Sequence, residues 1–130
     1  MTAIDPERLF GFWRLVGSRA VDSAGRRLAD PWGPAPLGIL TLTPEGRMIA
    51  VLCDGRRDLP DGVPRAYSSY GGAFVVEGDR LTTTIDVASD TSRIGTKQPR
   101  RLLLEGDRLT LTPPPRADGS QREILWQRAS

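Results

Sequence analysis

Histidine is missing from all 130 residues. That absence excludes a Ser-His-Asp triad, a Cys-His pair and every histidine-based metal site, so any catalysis would have to rest on carboxylates, tyrosine, arginine or shape. Cysteine is nearly missing too. A lone Cys53 permits no internal disulfide and no thiolate framework, and within its apolar segment it reads as a small packing residue. No metal and no cofactor is expected. No run approaches the roughly 20 apolar residues of a membrane span. The N-terminus also lacks a basic-then-apolar leader, so a cytoplasmic location with no membrane span is the expectation. Lysine is represented by Lys97 alone, yet 18 basic residues against 16 acidic ones give a net charge of +2. The arginines are interleaved with acids, as in Asp79-Arg80 and Asp107-Arg108, instead of gathered on one face with aromatics, and nucleic acid is not an expected partner.

Turn punctuation is abundant. The hexapeptide Glu-Gly-Asp-Arg-Leu-Thr occurs at Glu77 to Thr82 and again at Glu105 to Thr110, each time after an apolar run (Phe74-Val75-Val76 and Leu102-Leu103-Leu104). Gly-Asp suits a two-residue hairpin turn because glycine accepts the positive φ that such a turn demands. Similar signals stand at Ser23-Ala24-Gly25, Thr43-Pro44-Glu45-Gly46 and Ala117-Asp118-Gly119. Between them the sequence predicts strands at about Gly11–Val21, Gly38–Thr43, Arg47–Cys53, Tyr67–Val76, Arg80–Ala88, Pro99–Leu104, Arg108–Thr112 and Arg122–Arg128. A loose start is expected at Met1 to Pro6, with Asp5-Pro6-Glu7 opening a helical turn at Arg8 to Phe10. Asp30 to Leu37, with Pro31, Pro34 and Pro36, and the polar stretch Asp54 to Arg65 read as irregular loops.

Period-two alternation assigns faces. Met48, Ala50 and Leu52 share one; Tyr70, Gly72, Phe74 and Val76 another; Leu81, Thr83, Ile85 and Val87 a third; Arg100, Leu102 and Leu104 a fourth. About eight antiparallel strands with no crossover helix hide their edges by closing or by folding into a sandwich. The expected fold is all-β, one domain over residues 1–130, an antiparallel up-and-down barrel of about eight strands whose interior holds one small ligand.

Gly11-Phe12-Trp13 resembles the Gly-x-Trp signature of lipocalins, and Trp126-Gln127-Arg128 is similar to their ending. Pro31-Trp32-Gly33-Pro34, Gly38-Ile39-Leu40, Thr43 to Met48, Tyr70-x-Gly72, Gly95-Thr96, Arg100-Arg101 and Gly106 to Leu111 extend the likeness to the bacterial and fungal lipocalin-like domain family, over about Leu9 to Ala129. The resemblance implies a barrel closed at its base by Trp13 with Arg128 across its ring. It implies a lumen but no particular reaction, because lipocalin-like folds serve carriers and also cyclases that shape polyketide chains. The chain departs from the pattern at Thr83 and Thr84, where relatives often carry histidine.

The candidate ligand-lining residues are Met48, Ala50, Leu52, Tyr70, Phe74, Thr83, Ile85, Arg100 and Leu102, with Trp32 at the mouth. Trp32 reads either as a loop anchor over the core or as a flap. Arg100 falls on an apolar face and Arg101 outside it; a guanidinium placed there is costly unless paired. Arg100 is therefore a lumen cation for a carboxylate, enolate or carbonyl oxygen, or the partner of an internal acid, or, if the register shifts, a solvent-facing side chain. Tyr70 is the other polar candidate, as a ligand contact or simply as a satisfied buried phenol. Two functions fit: binding of a small hydrophobic molecule with one polar end, such as a biosynthetic metabolite, or a cofactor-independent cyclase or isomerase in which Arg100 and Tyr70 polarise a carbonyl.

Overall fold

The computed structural model describes residues 4–130, so the first three residues of the loose start expected at Met1 to Pro6 lie outside the described residues. Eight antiparallel strands close into an up-and-down barrel in sequence order, with the eighth pairing back onto the first. They are β1 (Gly11–Val21), β2 (Pro36–Leu42), β3 (Arg47–Asp54), β4 (Tyr67–Glu77), β5 (Arg80–Ala88), β6 (Lys97–Glu105), β7 (Arg108–Thr112) and β8 (Gln121–Arg128). The repeated hexapeptide makes two like hairpins. Glu77 pairs with Arg80 and Glu105 with Arg108, leaving Gly78-Asp79 and Gly106-Asp107 as the two-residue turns. Both glycines take positive φ while neither aspartate does, the φ pattern of a type II′ turn, whose twist matches the flanking strands.

The alternation is broken twice. In β1 the register against β8 shifts between Leu15 and Gly17, so Val16 has no partner across that ladder and lies exposed. At β4–β5 the register shifts: Gly72 pairs with Ile85 and Gly71 with Val87, so Asp86 has no partner across the ladder. One extra residue reverses every later side chain. Val87, expected inside with Ile85, is 56% exposed, and Asp86 turns outward to a bidentate pair with Arg47. Strand β4 tolerates this crowding because residue 72 is glycine; a Cβ there would lie 1.9 Å from the Thr84 carbonyl oxygen.

Strand β6 starts two residues earlier than expected, at Lys97, and so runs through Pro99. A proline fits a sheet only where no ladder bond is asked of its nitrogen. Leu102 N–H points toward the β5 side, to Asp79, so the nitrogen of Pro99 faces β7, and pairing with β7 begins only at Arg101.

The hairpin turns and the described chain ends gather at one end of the barrel, which is packed solid. Trp13 is fully buried there among Leu9, Leu40, Leu42, Met48, Leu109 and Trp126. Its indole N–H donates to the Leu9 carbonyl at 3.0 Å, and the Arg128 guanidinium lies 4.4 Å from its ring centre. Arg128 also donates to the carbonyls of Phe10 and Arg8 and meets Asp107 at 3.3 Å. The single-turn 3-10 helix Pro6–Arg8, capped by Asp5, sits two residues ahead of the expected Arg8 to Phe10. Its C-terminal side is thereby pinned under the barrel. The opposite end carries the long connections 22–35, 55–66, 89–96 and 113–120.

Candidate functional site

The long connections surround a cavity of about 410 Å³ in the upper lumen. That volume falls within the usual range for small-molecule sites. Its wall comes from the upper parts of five strands: Leu52 of β3, Tyr70 of β4, Ile85 of β5, Gln98 and Arg100 of β6, and Arg122 and Ile124 of β8. Each points inward because it continues the phase of a core residue lower on the same strand: Ala50, Phe74, Leu81, Leu102 and Trp126. Trp32 reaches over the cavity from the first connection, where its N–H is held by the Asp30 carboxylate at 2.8 Å.

The structure therefore divides the residues singled out by sequence. Trp32, Leu52, Tyr70, Ile85 and Arg100 come together around the cavity. Met48, Ala50, Phe74, Thr83 and Leu102 also face inward, but they lie below it in the packed core. The Thr83 hydroxyl is buried there with no hydrogen-bond partner among the described residues. Arg93, Gln98, Arg116 and Arg122 also line the cavity, and sequence reading did not single them out. Gln98 and Arg122 had a signal, since they keep the period of Arg100 and Trp126. Arg93 and Arg116 had none, because each sits in a connection.

Charge is segregated around this cavity. Among the described residues its lining includes Arg93, Lys97, Arg100, Arg116 and Arg122 and no aspartate or glutamate. Among the described residues Arg100 has no ion-pair partner, and its hydrogen bond goes to the carbonyl of its own neighbour Pro99, at 2.8 Å. Burial pushes the Arg100 guanidinium below its ordinary range; Tyr70 acts the other way, while the positive charges of Arg93 and Arg122 add to the depression. Arg93 lies 4.4 Å from the centre of the Tyr70 ring and donates to Gln98 Oε1, so the phenol and the amide hold one guanidinium beside another. Such an arrangement can receive an anion, since unpaired, partly desolvated cations gain strongly from a negative charge.

The mouth is tied down at Asp54. This residue ends β3 facing inward, only 3% exposed, and takes Arg56 through Nε and Nη2, the latter at 2.6 Å. Arg56 is thus the half-buried partner of a buried carboxylate, although its sequence context reads as an irregular polar loop. Arg65 closes the 55–66 connection by donating to the carbonyls of Asp54 at 2.7 Å and Arg56 at 2.6 Å. From the other side, Gly55 N–H bonds to the Ala35 carbonyl, and Gly33 approaches so closely that a Cβ there would lie 2.6 Å from the Asp54 carboxylate. The connection bearing Trp32 and the connection 55–66 form one latch.

Hydrogen bonds from the Arg56 side chain and then its backbone hold the Asp54 carboxyl below the usual carboxylate range. A depressed carboxylate stabilises above its unfolded pKa and loses that contribution as pH falls through its folded pKa. The latch should therefore hold throughout pH 5–8 and loosen only under acid conditions below the ordinary carboxylate range. Asp54→Asn should speed amide exchange in 30–36 and 55–66 at neutral pH while sparing β7 and β8. Uniform exchange rates in wild type and variant would show that the pair does not hold the mouth.

A larger cavity, about 980 Å³, lies on the outer face of β6, β7, β8 and β1. Its lining mixes Asp5 and Glu123 with Arg8, Arg19 and Arg101 and offers no unpaired cluster of one sign, since Arg19 pairs with Glu123 and Arg101 with Asp79. The cluster of cations of one sign lies at the lumen cavity.

A closed eight-stranded barrel with a plugged base and a cavity at its mouth defines a small-molecule-binding β-barrel class. Residues 10–129 match the lipocalin-like domain family, and the chain belongs to it. No curated protein matches the sequence. The motifs at Gly11-Phe12-Trp13 and Trp126-Gln127-Arg128 are accordingly the two halves of the barrel base, brought together by the β1–β8 pairing of Trp13 with Arg128.

Proposed function

We propose that this protein binds a small organic anion, such as a biosynthetic metabolite, in its upper lumen. The apolar body of the ligand lies against Trp32, Leu52, Ile85 and Ile124, and its charged oxygen meets Arg100 beside Tyr70. One observation carries the reading: among the described residues, Arg100 is a partly buried lumen cation with no acid to pair with, in a cavity without a carboxylate. A guanidinium withdrawn from water costs several kcal/mol unless an anion or good hydrogen bonds compensate, and the Pro99 carbonyl supplies only one such bond. An anionic ligand supplies the rest.

The test compares matched compounds that differ only in charge. An aromatic carboxylic acid should bind measurably tighter than the corresponding primary alcohol in calorimetric titrations at pH 7.5. Native mass spectrometry of the freshly purified protein should show any co-purifying molecule to be acidic. Equal affinity for acid and alcohol would dismiss Arg100 as an anion receptor.

A second reading draws on the same pair. A desolvated guanidinium beside a phenol is suited to stabilising an enolate as it forms, which is what a cofactor-independent cyclase or isomerase acting on a polyketide-like chain requires. The latched mouth would supply the confinement that holds a flexible chain in a reactive conformer. Turnover of the co-purifying compound on prolonged incubation, lost in Arg100→Met, separates an enzyme from a carrier.

A further inference from the structure

The connections at the mouth contain nearly as many acids as arginines, yet the two are used differently. Asp22, Asp30, Asp54, Asp90 and Asp118 each accept a backbone N–H within their own turn, from Ala24 and Arg26, Trp32, Arg56, Ser92 and Ser120 respectively. Asp54 is further committed to Arg56, and Asp90 to the Ser92 hydroxyl. These carboxylates shape the connections and none of them lines the cavity, although the charge of Asp30 is felt by Arg122. The arginines are left over. Among the described residues none of Arg93, Arg100, Arg116 and Arg122 lies within ion-pair distance of an acid, although all four line the same cavity, and Lys97 joins them.

Several unpaired cations around about 410 Å³ repel one another. They belong to two groups by position. Arg93 and Arg100 lie at β6 and the connection before it, on the Tyr70 side; Arg116 and Arg122 lie at β8 and the connection before it, on the Ile124 side. A single carboxylate on Arg100 relieves one group and leaves the other. We propose that the ligand of this site is an organic dianion, with one negative group received by Arg100 and Arg93 and a second received by Arg122 and Arg116. This deepens the anion reading and rests on it. Both a dicarboxylate and a phosphate monoester have the required charge on an apolar body.

The experiment uses the full chain and a matched series on one aromatic body: 1-naphthalenemethanol, 1-naphthoate, naphthalene-1,4-dicarboxylate and 1-naphthyl phosphate, titrated calorimetrically at pH 8 and low ionic strength. At that pH both carboxylates are ionised and the phosphate is doubly charged. At least one dianion should bind about tenfold or more tighter than the monoacid, the scale of one added charge-assisted hydrogen bond. Preference for the dicarboxylate points to two separated receptors, and preference for the phosphate to both groups converging on one head. Arg122→Met, with its fold checked by circular dichroism, should shrink the ratio of dianion to monoacid affinity toward one. If that variant does not fold, the wild-type ratio decides alone. Monoacid and dianions binding equally, and both better than the alcohol, would overturn the dianion while leaving Arg100 as an anion receptor. Acids binding no better than the alcohol, or no member binding, would overturn both. A strong dianion preference unchanged in Arg122→Met would overturn the assignment of the second receptor.

Discussion

Trp13→Ala should destabilise the protein by about 3–5 kcal/mol, the range for removing a large aromatic from a core. Several losses coincide at this position. The indole is fully buried, its N–H bond to Leu9 disappears, and the Arg128 guanidinium loses the ring it lies against. Arg128 is the tie among the last strand, the carbonyls of Arg8 and Phe10, and the β6–β7 turn at Asp107. Loosening it opens the base where β1 and β8 close the barrel. Chemical denaturation measures the effect as a shift in midpoint. Ligand affinity extrapolated to fully folded protein should be nearly unchanged, because Trp13 is not part of the cavity lining. A variant as stable as wild type would mean that the barrel is not closed through this residue.

Arg100→Met should act the other way round, sparing the fold and crippling the site. Methionine keeps much of the side-chain volume and removes a charge that has no ion-pair partner among the described residues, so stability should be equal or higher. Affinity for an anionic ligand should fall by about 1.5–3 kcal/mol, the scale of a hydrogen bond to a charged group. If the protein is an enzyme, kcat should fall more than KM rises, because the contact strengthens as negative charge develops on the substrate. Arg100→Lys should recover part of the loss, since the charge returns without the fork of donors. Wild-type affinity in Arg100→Met would leave an apolar carrier as the better description.

The two substitutions mark the functional division of the barrel. Its lower half is a core in which the residues nearest the signature motifs carry stability. Its upper half is a cavity whose polar groups are, on the proposed reading, those that recognise the ligand. The same strands serve both, with Leu102 and Arg100 two residues apart on β6 and Trp126 and Ile124 two residues apart on β8. Position along the strand, not strand identity, decides which role a side chain has.

Much of this was legible in the residues themselves. Strand order, both Gly-Asp hairpins, the inward phase of Arg100 and the base pairing of Trp13 with Arg128 follow from short-range patterns or from the ordered motifs of the family. Alternation is local: a residue's face is set by the pleat two positions away, and a turn by its own φ preferences. Tertiary structure alone decided the rest. The bulge at Asp86 depends on how β5 meets Gly71 and Gly72 across the ladder, which reversed Val87. Burial of Asp54 depends on two connections converging from different strands, which turned Arg56 from a residue of an irregular polar loop into half of a latch. The depth at which packing gives way to cavity depends on the summed volume of Trp13, Trp126, Phe74 and their neighbours, which no single strand contains. The convergence of Arg93, Arg100, Arg116 and Arg122 depends on closure, which sets the start of β6 and the start of β8 on facing parts of one wall. Local sequence determines which way a side chain points; only the closed barrel determines what it points at.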